Sequence, residues 1–142
     1  MLVVIIIVDV PVIMRNLQEL VNRNYLIGYR FEMRVVAFFR KLGYFVVRSP
    51  KSKGLTDVTA IPPFVKTGWY NQTLGIQAKK NGYVKPTERA ELEACKNKWQ
   101  MTILIAWSDN RKLKFRTLDG QEITHSALDI LGILRKRNEI NV

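Results

Sequence analysis

Apolar residues recur at helical spacing from about Asn24 to Leu42, at Leu26, Phe31, Val35, Phe38, Phe39 and Leu42. Gly43 supplies a stop, and Tyr44–Arg48 (YFVVR) has the β-branched and aromatic content of a short strand. Ser49–Thr56 carries Pro, Gly and Ser signals and reads as a loop. Strand character resumes over Asp57–Ile61, ended by Pro62-Pro63. Phe64–Gln72, with Gly68, reads as a hairpin connection to a further strand over Thr73–Lys79. A helix follows Pro86, with Thr87 as N-cap or first-turn residue and Leu92, Cys95 and Trp99 as its apolar stripe. Met101–Trp107 is a continuous apolar run, as a buried central strand requires. Leu113–Arg116 reads as an edge strand and Ser126–Arg137 as a C-terminal helix with Leu128, Leu131 and Leu134 inward. The order α-β-β-β-α-β, followed by a variable tail, predicts an α/β fold: a three-layer sandwich around a mixed sheet.

The first fourteen residues (MLVVIIIVDVPVIM) stand apart. The run is too short to span a bilayer, Asp9 and Pro11 interrupt it, and it has neither a basic flank nor a small-residue cleavage site. Two readings are open. Its Val and Ile content fits an added β-strand, which would need pairing, as across a dimer; alternatively ordinary patterning, and the domain itself, begins at Met14-Arg15-Asn16. Residues 15–142 are expected to form a single domain.

Charge narrows the function. Lys and Arg total 23 against 12 acidic residues, for a net charge of +11 and a pI near 10.0. That field attracts polyanions, of which nucleic acid is the commonest partner of a small basic domain. Cys95 is the only cysteine, so neither an internal disulfide nor a thiolate metal site is available, and a reduced, cytoplasmic setting fits. His125 is the only histidine, which excludes histidine-based zinc sites and Ser-His-Asp catalysis; a capping or surface role is expected for it. Trp99 and Trp107 read as core residues, whereas Trp69 and Tyr70 fall in a loop.

The chemistry-bearing pattern is Asp57 at the start of one strand and Gln77-Ala78-Lys79 on the next predicted strand. Gln77 and Lys79, two apart, share a face. If these strands are neighbours, a carboxylate, an amide oxygen and an ammonium meet at one end of the sheet. Hard oxygen ligands of this kind hold Mg²⁺, which polarises a phosphoryl oxygen and activates water, while a lysine positions that water or balances developing charge. Glu32, on the first helix and away from its apolar stripe, would add a third oxygen ligand if it feeds the same site; the alternative is a solvent-exposed helix charge paired with Arg34 or Arg40. Arg48-Ser49 and the loop Lys51-Ser52-Lys53-Gly54 bring basic, hydroxyl and Gly residues suited to gripping phosphate.

In order and spacing these residues resemble the archaeal-type Holliday junction resolvases, a branch of the PD-(D/E)xK nuclease superfamily. The matching positions are Gly28-Tyr29-Arg30-Phe31-Glu32, Leu42-Gly43-Tyr44, Val46-Val47-Arg48-Ser49, Ser52-Lys53-Gly54, Asp57 and Gln77-Ala78-Lys79. The resemblance implies a restriction-endonuclease-like fold. It also implies Asp57 as the shared metal ligand, Gln77 at the second ligand position, Lys79 as the catalytic lysine and Glu32 as a helical ligand. Arg48 and Ser52 are implied to contact phosphate. The implied protein is a homodimer cutting opposed strands of a four-way junction with Mg²⁺; no organic cofactor and no membrane partner are expected.

Two positions depart from the family pattern. Gln77 stands where Glu is usual, which removes a charge and shifts the expectation toward weaker metal binding or a preference for Mn²⁺. Met33 follows the helical Glu where a basic residue is common; Arg30 or Arg34 can take its place. Lys80, Lys85, Arg89, Lys96 and Lys98 add positive charge for contacts to the DNA backbone. Two other functions stay open: a nicking or restriction-like nuclease of the same superfamily, and a weakened junction-binding protein in which Gln77 marks a degraded site.

Overall fold

A computed structural model describes residues 10–49, 56–62 and 72–129. Helix α1 runs Val10–Lys41, followed by strands β1 (Phe45–Arg48), β2 (Val58–Ile61) and β3 (Leu74–Ala78). Helix α2 (Pro86–Trp99), strands β4 (Thr102–Asp109), β5 (Lys112–Thr117) and β6 (Glu122–Ile123), and a single turn α3 (His125–Leu128) complete the described chain.

The six strands lie side by side in chain order. Every neighbouring pair is antiparallel except β3 and β4, which run parallel because α2 carries the chain back between them. The sheet is therefore mixed, as expected.

Alternation along the central strands sorts their side chains onto two faces. Leu74 and Ile76 of β3 and Leu104 and Ala106 of β4 pack with Phe31, Val35, Val36 and Phe39 of α1. Ile103 and Ile105 of β4 pack instead with Leu92 and Cys95 of α2. One helix thus covers each face, giving the three layers. By the same alternation Gly75 and Gln77 look toward α2.

The helical stripe identified from Asn24 onward extends further back than expected. Val10–Met14, read as part of a possible strand, are helical; residues 1–9 lie outside the described residues. The spacing explains this: Ile13, Leu17, Leu20 and Ile27 continue the register of Phe31 and Val35 toward the N-terminus. The burial does not follow the pattern, since Leu17 is 56% exposed and Phe31 only 6%.

Two other expectations are corrected and a third is narrowed. Leu113–Arg116 is not an edge: β5 lies between β4 and β6, and the two-residue β6 forms that border. Trp99 is 56% exposed rather than core, because α2 ends there and Gln100 turns into the left-handed region (φ 50°), leaving Lys98 over the indole at 5.2 Å. His125 lies at the surface, one of the two roles expected of it, but does not cap the last helix. Thr124 caps it, while the imidazole Nε2 sits 2.6 Å from the Leu113 carbonyl and the ring packs on Phe38 and Phe115. Of the C-terminal helix expected over Ser126–Arg137, residues 130–142 lie outside the described residues.

Candidate active site at the end of the sheet

The register of β2 on β3 decides the site. Val58 pairs with Ile76, so Asp57, one residue earlier, stands beside Gln77 at the end of the sheet where β3 finishes. The Asp57 N–H donates to Gln77 Oε1 at 3.3 Å, and Asp57 Oδ2 accepts from the Ala78 N–H at 2.9 Å. Lys79 continues the ladder onto β4, its N–H donating to the Ala106 carbonyl at 2.9 Å. Asp57, Gln77 and Lys79 are thereby held by backbone as well as by side chain.

Glu32 reaches the same end from α1. Its Oε2 accepts from Arg48 Nε at 2.6 Å, and the Arg48 guanidinium lies 4.7 Å from the centre of the Tyr29 ring. The guanidinium also has a side-chain hydrogen bond to Tyr25, so α1 holds it through Tyr25, Tyr29 and Glu32 together. Ser49 donates its N–H to the Asp57 carbonyl at 2.9 Å, tying the strand that carries Arg48 to the strand that carries Asp57.

A further carboxylate, not singled out from the sequence, completes the group. Glu88 lies in the first turn of α2, and its Oε1 accepts from Gln77 Nε2 at 2.7 Å and from Lys79 Nζ at 2.8 Å. The sequence signal was faint: Glu88 is one of several acids in α2, distinguished only by its place just after Pro86, where the helix begins facing the end of β3. That position also favours a negative side chain, since a helix N-terminus carries partial positive charge.

Burial lifts the Asp57 carboxyl above its ordinary value. The Glu32 and Glu88 carboxylates raise it further, while the Ala78 N–H and the Lys79 ammonium pull it down. Asp57 therefore feels two carboxylates and one cation besides its own partners.

Of the other expected contact residues, Arg30, Lys80 and Lys85 are exposed, and Lys85 directly precedes Pro86 at the start of α2. Arg34 is exposed and donates to the Arg111 carbonyl in the β4–β5 turn. Lys51, Ser52 and Lys53, with Trp69 and Tyr70, lie outside the described residues.

For a divalent metal the donor chemistry fits: Asp57, Gln77 Oε1 and Glu32 offer only hard oxygens, and the converging negative field on Asp57 is one that such a cation neutralises. Among the described residues, however, no three His, Cys, Asp or Glu side chains already surround a common point. Glu32 is drawn onto Arg48, and Glu88 onto Lys79 and Gln77.

No protein-family model matches this sequence, and no curated protein does. Among solved structures, the fold is similar to that of Archaeoglobus fulgidus Hjc, described as a Holliday junction resolvase from an archaeal hyperthermophile. The two share 20% identity with a TM-score of 0.51, over 65% of this chain and 73% of that one. The likeness establishes a common α/β fold. No helix among the described residues is long and apolar enough to cross a membrane.

Proposed function

We propose that this chain, on a fold shared with an archaeal junction resolvase, is a metal-dependent DNA endonuclease that resolves four-way junctions as a homodimer. The observation that carries the reading is the meeting of Glu32, Asp57, Gln77 and Lys79 at one end of the sheet, Glu32 from α1, Asp57 just before β2, Gln77 on β3 and Lys79 just after it. The net charge of +11 supports a polyanionic substrate.

Asp57, Gln77 and Glu32 would hold Mg²⁺ or Mn²⁺, which when bound supplies an activated water and polarises the scissile phosphate. Asp57 is fixed in place by the Ala78 N–H, so its carboxylate does not have to be ordered when DNA arrives. Lys79, on the same face as Gln77, offers its ammonium to the charge that develops on phosphate oxygens. Arg48, and the basic side chains Arg30, Lys80 and Lys85, contact the backbone and set a salt-dependent affinity. Ser52, Lys51 and Lys53 are assigned to the same gripping role on the strength of the sequence resemblance.

Asp57→Ala and Lys79→Ala should each abolish cleavage of a labelled four-way junction in Mg²⁺ while leaving junction binding largely intact. Cutting at the wild-type rate by either variant overturns the assignment. Paired symmetric nicks in a mobile junction, against equal cutting of plain duplex, separate a resolvase from a general nicking enzyme.

A further inference from the structure

The Gln77 side chain is buried, 9% exposed, and both ends of its amide are engaged. Oε1 faces the Asp57 N–H, and Nε2 donates to Glu88 Oε1 at 2.7 Å. An amide can be turned over with almost no change of shape, but only its oxygen end can ligate a hard cation. Here the turned-over form is disfavoured at both ends. It would set the NH₂ against the Asp57 N–H, donor to donor, and the oxygen against the Glu88 carboxylate, acceptor to acceptor. Glu88 is the stronger of the two restraints because it is charged. The same Glu88 oxygen also holds the Lys79 ammonium at 2.8 Å.

We infer that Glu88 is a positioning residue of the site: it fixes the Gln77 amide with its oxygen toward Asp57, and it anchors Lys79 beside it. Glu88 thereby returns to the site, from α2, the negative charge that Gln77 does not carry on β3. The inference rests on the nuclease reading and names how an amide on this strand is made usable within it.

The test is a pair of variants, Glu88→Gln and the swap Gln77→Glu/Glu88→Gln. Replacing Glu88 by an amide keeps its shape but lets position 88 present either a donor or an acceptor, so the stronger restraint on Gln77 is lost and only the 3.3 Å contact from the Asp57 N–H still favours one orientation. The swap moves the charge to the strand and leaves an amide on the helix to donate to it, preserving the contact and the net charge. Binding of Mn²⁺ to the DNA-free protein, followed by the electron paramagnetic resonance of the free ion, should weaken at least tenfold in Glu88→Gln. It should return to within about threefold of wild type in the swap. On a four-way junction, kcat should fall in Glu88→Gln with KM little changed. Melting temperatures within a few degrees of wild type show that each variant folds; should Glu88→Gln fold poorly, Glu88→Asp, which keeps the charge but shortens its reach, should weaken Mn²⁺ in the same direction.

Wild-type Mn²⁺ affinity in Glu88→Gln, or a swap no better than that single variant, overturns the inference while a cleaving wild-type protein leaves the nuclease reading standing. A wild-type protein that neither binds Mn²⁺ nor cuts DNA overturns the nuclease reading, and this inference with it.

Discussion

Gly75 tests whether the site depends on the packing beneath it. It lies on β3, on the α2 face, two residues before Gln77. A methyl group there would stand 2.8 Å from Thr56 Cγ2, 2.9 Å from Ile103 Cδ1 and 3.0 Å from Met101 Cε. The last two are the ends of flexible side chains and can swing away. Thr56 cannot do so freely: it is buried, β-branched, and its hydroxyl donates to the Val58 carbonyl at 3.1 Å. Its methyl must retreat from 2.8 Å to about 3.4 Å for ordinary contact, and the residue that follows it is Asp57.

Overpacking of this kind costs about 1–3 kcal/mol, against which replacing Gly within a strand returns about 0.5–1 kcal/mol. Gly75→Ala should therefore be destabilised by a net ~0.5–2 kcal/mol, roughly 2–8 °C in melting temperature for a domain of this size. Cleavage should fall by more than stability explains, several-fold or more, because a ~1 Å error in placing reacting groups can cost ~100-fold. Thr56→Ser removes the obstructing methyl, so in a double-mutant cycle the cost of Gly75→Ala should shrink by at least ~0.5 kcal/mol. The assays are thermal melting and single-turnover cleavage of a four-way junction. If Gly75→Ala melts at or above wild type and cuts normally, or if Thr56→Ser brings no relief, then Thr56 does not transmit strain to Asp57 and the reasoning fails.

Tyr44 donates its hydroxyl to the Leu128 carbonyl at 3.0 Å, and burial, helped by Asp129, pushes its pKa from 10.0 up to about 12. A folded pKa above the unfolded value means stability that is complete below about pH 10 and lost as pH rises toward 12. The loss should be on the order of 2–3 kcal/mol at most, and it should be missing from alkaline denaturation of Tyr44→Phe, itself destabilised by ~1 kcal/mol at neutral pH; identical alkaline curves refute the assignment. Cys95 is 6% exposed, with its thiol pushed up by burial and 3.6 Å from the Met101 sulfur, so a thiol-specific reagent at pH 8 should react with it far more slowly before unfolding than after. Rapid labelling of the folded protein would show that α2 opens readily.

Much of this architecture was legible because the two periods of the chain are clean. The change from 3.6 to 2 at Gly43, and the punctuation by Pro62 and Pro86, located α1, β1, β2 and α2. Asp57, Gln77 and Lys79 were readable as a group because adjacent strands with matched ends bring their terminal residues together. Glu88 was not, since its partnership depends on where α2 lands after crossing the sheet, and Glu91 and Glu93 look equivalent along the chain. Glu32 stands out along the chain as a carboxylate off the apolar stripe of α1, but its pairing with Arg48 requires the angle between helix and β1, which no spacing encodes. The N-terminal part of α1 misled through composition: Val and Ile favour strands, yet a helix already started downstream propagates cheaply through residues in register with it. Trp99 misled through periodicity, because it continues the α2 stripe past the point where sheet remains beneath it.

The spatial order of the strands, identical to their order along the chain, has a consequence for how the molecule is made. Each strand after β1 pairs with the strand made just before it, and the last two pairings, β4–β5 and β5–β6, close across short turns, so little loop entropy is spent on them. Every residue assigned to the candidate site falls between Arg30 and Glu88, whereas Ile103–Ala106, Leu113 and Phe115, which close the two halves of the core, come later. The groups of the candidate site are thus synthesised first and clamped last. An N-terminal fragment ending near Trp99 would carry the whole proposed chemistry with one wall of its core missing, and premature termination should yield chains that lack a fixed site rather than unregulated nucleases.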